Sequence, residues 1–193
     1  SFHLSGRTHL VFHFRDEMSV IIHNDRGAST GTLGGFYPLN TQVTLSVQQS
    51  VDDGQSRLAC KGYNLVPGGV STSNTTGAFN LIQPIEITWA WDAQHYVNLS
   101  ATMGSVTLVG GGTATGWYNE GSVINVVANK PTEPPQTQYR LSDWDGLSVE
   151  PSETITITVN QPVNAVARWD TYYQLLLNYT QGSVKDDPSG YLL

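Results

Sequence analysis

The chain contains the same pattern more than once. The segment 85-IEITWAWDAQHYVNLSATMGSV-106 returns as 163-VNAVARWDTYYQLLLNYTQGSV-184. Each copy has a Trp-Asp pair (Trp91-Asp92, Trp169-Asp170), a strand-like run, and a Gly-Ser-Val (Gly104 to Val106, Gly182 to Val184). A weaker copy, 9-HLVFHFRDEMSVIIHNDRGAS-29, has Phe14 in the Trp position and Gly27 as the turn glycine. Interior elements recur in the same order. Gly116-Trp117-Tyr118 followed by Val123 to Ala128 matches Gly35-Phe36-Tyr37 followed by Val43 to Val47, and 57-RLACKGY-63 matches 138-QYRLSDW-144. A fixed period implies one small supersecondary unit per copy. The expected organisation is the end of one module (1–16), two whole modules (17–93 and 94–171), each of about 77 residues, and the start of a fourth (172–193).

Within each copy the apolar residues alternate. Thr154 to Val159 places Ile155, Ile157 and Val159 on one face, and Gln42 to Val47 does the same with Val43, Leu45 and Val47. The junction strands carry Ile85, Ile87, Trp89, Trp91 and Val163, Ala165, Ala167, Trp169, against Leu10, Phe12 and Phe14 in the weaker copy. The opening strands bury Val20 and Ile22, Val97 and Leu99, and Leu175 and Leu177. A period of two with dense β-branching means strands, and no segment shows a helical period. The expected fold class is all-β, a tandem array of small β-sandwich or β-grasp-like modules. Gly, Pro, Asn and Asp mark 66–77 and 129–138 as loops, and 92–95 and 170–172 as short linkers without a flexible Gly/Ser tract.

Composition narrows the function classes. A net charge of -7, with lysine only at Lys61, Lys130 and Lys185, excludes a phosphate-neutralising surface, hence nucleic acid. No apolar run approaches the length of a membrane span. Cys60 is the only cysteine, so no internal disulfide forms, and its alternation with Leu58 reads as a small core residue. Low charge (13%) with many Gly, Trp and Tyr suits an extracellular β protein, and the ends read as cuts inside a longer chain.

Gly116-Trp117-Tyr118-Asn119-Glu120-Gly121, the strand after it, YRLSDWDG at 139–146 and the Thr-rich hairpin closing on Ala-x-Trp carry a resemblance. The chain resembles the internalin-type B-repeat and its relatives, modules of secreted and cell-surface bacterial and archaeal proteins. The first module departs from the pattern with Phe36, Pro38 and Leu39, and with Tyr63 in place of Trp. The resemblance implies a non-catalytic structural segment of a stalk, fibre, surface layer or adhesin, with neighbouring repeats as partners. Edges of the end strands suggest self-association into an oligomer or filament. It also implies a second use, as an accessory carbohydrate-binding module.

For that second use the stacking candidates are Trp117, Tyr118 and Trp144, although recurrence of the aromatic pair at Phe36-Tyr37 favours an architectural role. Asn74, Asn98 and Asn178 stand in N-x-S/T sequons, and Asn74, in a polar loop, is the most accessible. The histidines (His3, His9, His13, His23, His95) read as surface residues. His9 and His13 would lie about 13 Å apart along a strand, too far to share an ion. Asp52-Asp53-Gly54, Asp143-Trp144-Asp145-Gly146 and Asp186-Asp187 offer calcium too few oxygens and suit turns instead, so no cofactor is expected. No serine has an evident histidine partner, and no nucleophile–base constellation stands out.

Overall fold

The computed structural model describes residues 15–24, 26–176 and the backbone of 190–192. Every element among them is a strand, as the period-two pattern requires, and no helix occurs among the described residues. The chain divides between Asp92 and Ala93 into two compact units, except that Asp52–Arg57 belong to the second.

In the first unit, β1 (Glu17–His23) lies between β2 (Gly35–Pro38), antiparallel, and the start of β8 (Ile85–Ala101), parallel, in the register Val20↔Ile85 and Ile22↔Ile87. A second sheet pairs β3 (Gln42–Ser46) with β7 (Thr75–Asn80), Val43 opposite Phe79. Asn40, at a φ of 68°, turns the chain from β2 into β3. The two sheets enclose Val20, Val43, Leu45, Val47, Leu81, Ile85, Ile87 and Trp89. Tyr63, on β5 (Ser56–Val66), meets Trp89 edge-on with ring centroids 5.2 Å apart. Cys60 packs, partly buried, against this core. The stretch 66–77, expected to be loop throughout, contains β6 (Gly69–Ser71), which pairs back on β5, and the start of β7. Its polar composition reflects exposure and not irregularity: Val70 is 83% exposed while still paired.

The second unit repeats the same kinds of pairing. The far half of β8 lies between β10 (Thr115–Asn119), antiparallel, and β14 (Val163–Leu175), parallel, in the register Val97↔Val163 and Leu99↔Ala165. Its second sheet runs β13 (Thr154–Val159), β11 (Ser122–Asn129), β9 (Ser105–Leu108). β12 (Thr137–Asp145) and the backbone of β15 (Gly190–Leu192) flank β14. Gly121, at a φ of 81°, turns β10 into β11. Trp144, 1% exposed, faces Ala167 across the β12–β14 pair and donates its indole N–H to the Ser152 carbonyl at 2.9 Å.

Residues 92–95 and 170–172, expected to be linkers, are extended strand within β8 and β14. Their turn-like composition is overridden because each has a neighbouring strand: Gln94 and His95 pair with β10, and Thr171 and Tyr172 with β12. Leu10, Phe12, Phe14 and Leu177 lie outside the described residues.

Two substitutions weigh the second core. Trp144→Ala removes a large buried side chain that has little room to collapse, and is expected to lose about 3–5 kcal/mol in chemical denaturation. Gly104 sits at φ 76°, and a Cβ there would lie 2.1 Å from the Asn129 carbonyl oxygen. Gly104→Ala is therefore expected to cost at least about 1–3 kcal/mol by the same measurement. An unchanged denaturation midpoint for either would contradict this packing.

Candidate functional site

β10 pairs with β8 in the register Trp117↔Tyr96 and Tyr118↔His95. Successive strand residues point to opposite faces, so the aromatic pair divides. Tyr118 turns toward the second core, and its hydroxyl donates to the Thr113 carbonyl. Trp117 turns to the other face and meets Tyr96 edge-on, centroids 5.3 Å apart. The Arg57 guanidinium carbon stands 4.3 Å from the Trp117 ring centroid.

A lattice of polar bonds holds Arg57 there. Its Nε donates to Gln94 Oε1 at 2.7 Å, and Gln94 Nε2 donates to Asn119 Oδ1, also at 2.7 Å. The Gln55 carbonyl accepts the Tyr96 backbone N–H at 2.8 Å. The start of β5 thus runs beside β8, which brings Arg57 to an aromatic ring 60 positions further along the sequence.

This geometry corrects the stacking candidates. A sugar platform needs bare, neighbouring aromatic faces. Trp144 is buried in the core, Tyr118 faces away from Trp117, and Trp117 is half-buried beneath Arg57. Of the three, Trp117 is the one on the face away from the core.

No family model, curated protein or solved structure matches this chain.

The same strand pairing produces a contact that sequence spacing does not reveal. Ser56 Oγ lies 3.0 Å from His95 Nδ1, and Glu120 Oε2 lies 3.9 Å from His95 Nε2. A serine does therefore meet a histidine, contrary to expectation, and His95 is enclosed, with 14% of its side chain exposed. The Glu120 distance exceeds the roughly 2.6–3.2 Å at which an orienting acid holds a catalytic imidazole. Among the described residues Nε2 is buried without a hydrogen-bond partner. His23, in contrast, is exposed and 2.7 Å from Glu86.

Asp143 and Asp145, expected in a turn, lie within strand β12, paired with Arg168 and Val166 of β14. Arg168 bridges Asp145 and Asp143 beside a shallow hollow lined by Thr102, Met103 and Asp170. Asp145, by its hydrogen bond and charge, then Asp143, raises the Arg168 pKa above its ordinary value. Gly54, at φ 65°, makes Asp52-Asp53-Gly54 a turn between β4 (Ser50–Asp53) and β5. Among the described residues no group of three or more His, Cys, Asp or Glu is placed to hold a metal ion, and Asp186-Asp187 lie outside them. The Glu133 carboxyl is held below the usual range by the Lys130 ammonium and by the Tyr139 backbone N–H.

Of the sequons, Asn74 is half-buried and donates its amide to the Val47 carbonyl at 3.0 Å. It is tied down and not the freely presented acceptor its loop-like sequence suggests. Asn98 sits in β8 between β10 and β14, donating to Asn164 Oδ1 at 2.9 Å and accepting from the Thr115 hydroxyl at 3.2 Å. Asn178 lies outside the described residues.

If Arg57 is the keystone of this lattice, Arg57→Ala should destabilise the second unit by about 0.5–2 kcal/mol. It should also alter the Trp117 fluorescence. A silent substitution in both measurements would remove Arg57 from that role.

Proposed function

We propose that the chain is a run of tandem β modules, 17–93 and 94–171, forming a non-catalytic structural segment of a secreted or cell-surface repeat protein. Residues 1–16 and 172–193 then belong to the preceding and following modules. The observation that carries the reading is a strand register that occurs three times. Gly35 pairs with Val20, Gly116 with Val97 and Gly190 with Leu175, each glycine the first or second residue of a strand antiparallel to the first strand of a copy. The next residues, Phe36, Trp117 and Tyr191, pair with Ser19, Tyr96 and Gln174. The parallel closures Val20↔Ile85 and Val97↔Val163 fall at matching positions. So do the positive-φ turn residues Asn40 and Gly121, and Gly27 and Gly104.

Polar side chains tie strands to one another and to their turns. Tyr37 and Tyr118 each donate to a loop carbonyl just upstream, Leu33 and Thr113. Gln94, Asn98 and Asn129 tie neighbouring strands together. Such a chain suits a stalk, fibre, surface layer or adhesin, where the module's task is to hold its length and present its neighbours. The resemblance to B-repeat modules supports the same reading and a place at the cell exterior.

Force spectroscopy tests the modular reading. Pulling the chain should give two unfolding events, each releasing about 25 nm, the extended length of a module of this size less its folded span. A single event spanning the whole chain would overturn it.

The second reading, an accessory carbohydrate-binding module, rests on Trp117, whose ring lies at the surface beside the Gln94 and Asn119 amides. It requires Arg57 to leave the ring. On a glycan array it predicts binding that Trp117→Ala abolishes, and an array without binding ends it.

A further inference from the structure

The first unit presents the same face that Arg57 covers in the second, with different residues. The cross-strand pairs Gln94↔Asn119 and Tyr96↔Trp117 correspond to Glu17↔Pro38 and Ser19↔Phe36. Phe36 stands where Trp117 stands, and Glu17 where Gln94 stands. Phe36 is 73% exposed, Glu17 is exposed, and Ile21, in the place of Asn98, is 47% exposed. Among the described residues nothing occupies on β1 and β2 the place that Gln55–Arg57 take on β8 and β10.

We propose that the Glu17–Phe36 face of β1 and β2 is a docking surface for an arginine-bearing β-hairpin of the type formed by residues 52–57, Asp-Asp-Gly-Gln-Ser-Arg, carried by another repeat of the same kind. The inference rests on the modular reading above. Its chemistry is taken from the second unit, where the hairpin places a guanidinium over an aromatic ring, a donor on the residue-94 side chain, and a carbonyl on the residue-96 N–H. That carbonyl contact recurs: Gln136, in the segment matching 52–57, accepts the N–H of Gln174 at 2.8 Å.

The substitutions on the first face preserve this recognition and shift its balance. A phenylalanine ring attracts a guanidinium less than an indole does. Glutamate at position 17 opposes that loss, because a carboxylate accepts a charge-assisted bond from arginine where Gln94 offers only a neutral amide oxygen. Ile21 adds apolar surface against which an arginine stem packs. A single exposed phenylalanine needs no explanation. One beside a carboxylate, in the register where another unit holds an arginine, is a matched receptor.

The test uses the whole chain and a head-to-tail cyclised peptide containing the 51–59 sequence, observed by amide shift perturbation in NMR. The peptide should perturb residues of β1 and β2 at up to about 1 mM, a weak but specific affinity. Replacing its arginine by alanine should weaken binding about tenfold or more, as should Glu17→Ala or Phe36→Ala in the protein. Phe36→Trp should tighten it. Phe36 is so exposed that these variants leave the core intact, and unchanged spectra elsewhere verify that. Perturbations confined to other faces, none at all, or binding indifferent to the arginine each overturn the proposal. The force experiment is done without peptide. Two unfolding events with no docking refute this surface alone, whereas a single event refutes the modular reading.

Discussion

The parallel pairing of the first and last strands of each unit is the constraint on which the rest depends. Antiparallel neighbours need only a short turn, but a parallel pair requires the chain to travel back the length of the strand. Here everything between β1 and β8, or between the far half of β8 and β14, serves as that return path. The return path is not idle: β3 and β7, and β9, β11 and β13, form the second sheet that covers the apolar face of the parallel pair. Val20, Ile85 and Ile87 in one core, and Val97, Val163 and Ala165 in the other, are buried only because the crossover lies over them. Closing such non-local pairs is slow, so each unit is expected to fold as a whole and not from a local hairpin outward.

Once that closure is made, the side-chain polar groups follow from it. Strands held parallel expose edges and face-side positions that must be satisfied or solvated. The chain fills them with amides and hydroxyls of short reach, such as Asn98 to Asn164 across the parallel β8–β14 pair. Charge is used sparingly and at the rim, as with Lys61 and Asp92 at 3.3 Å, where exposed pairs add little stability.

What was legible in the sequence is what a period of two encodes. The faces Ile155, Ile157, Val159 and Val43, Leu45, Val47 are buried as the alternation requires, because each strand has one face on a core. What was illegible is which strands lie side by side. The start of β5 runs beside β8 at Ser56 and Arg57, and nothing in the spacing of Ser56 and His95 announces a partnership 39 residues apart. The same limit left Trp144 open as a stacking candidate, because its neighbourhood of Asp and Gly resembles a surface turn although its ring fills the core. It also misjudged Asn74, whose polar neighbours conceal the bond to Val47. Composition reports the average exposure of a stretch, whereas the site depends on the exposure of one atom.

The differences between the two cores are informative in their own right. In the proposed register Tyr63 aligns with Trp144 and Trp89 with Ala167. One core pairs two large rings edge-on, the other a larger ring with a methyl group, so a change on one strand is met by a change on its neighbour. The indole of Trp91 donates to Asn24 at 3.3 Å, but that of Trp169, whose register partner for Asn24 is Ala101, is buried with no acceptor among the described residues. An unpaired buried N–H costs about 1–3 kcal/mol. The two units therefore fill their cores with different side-chain pairs across adjacent strands.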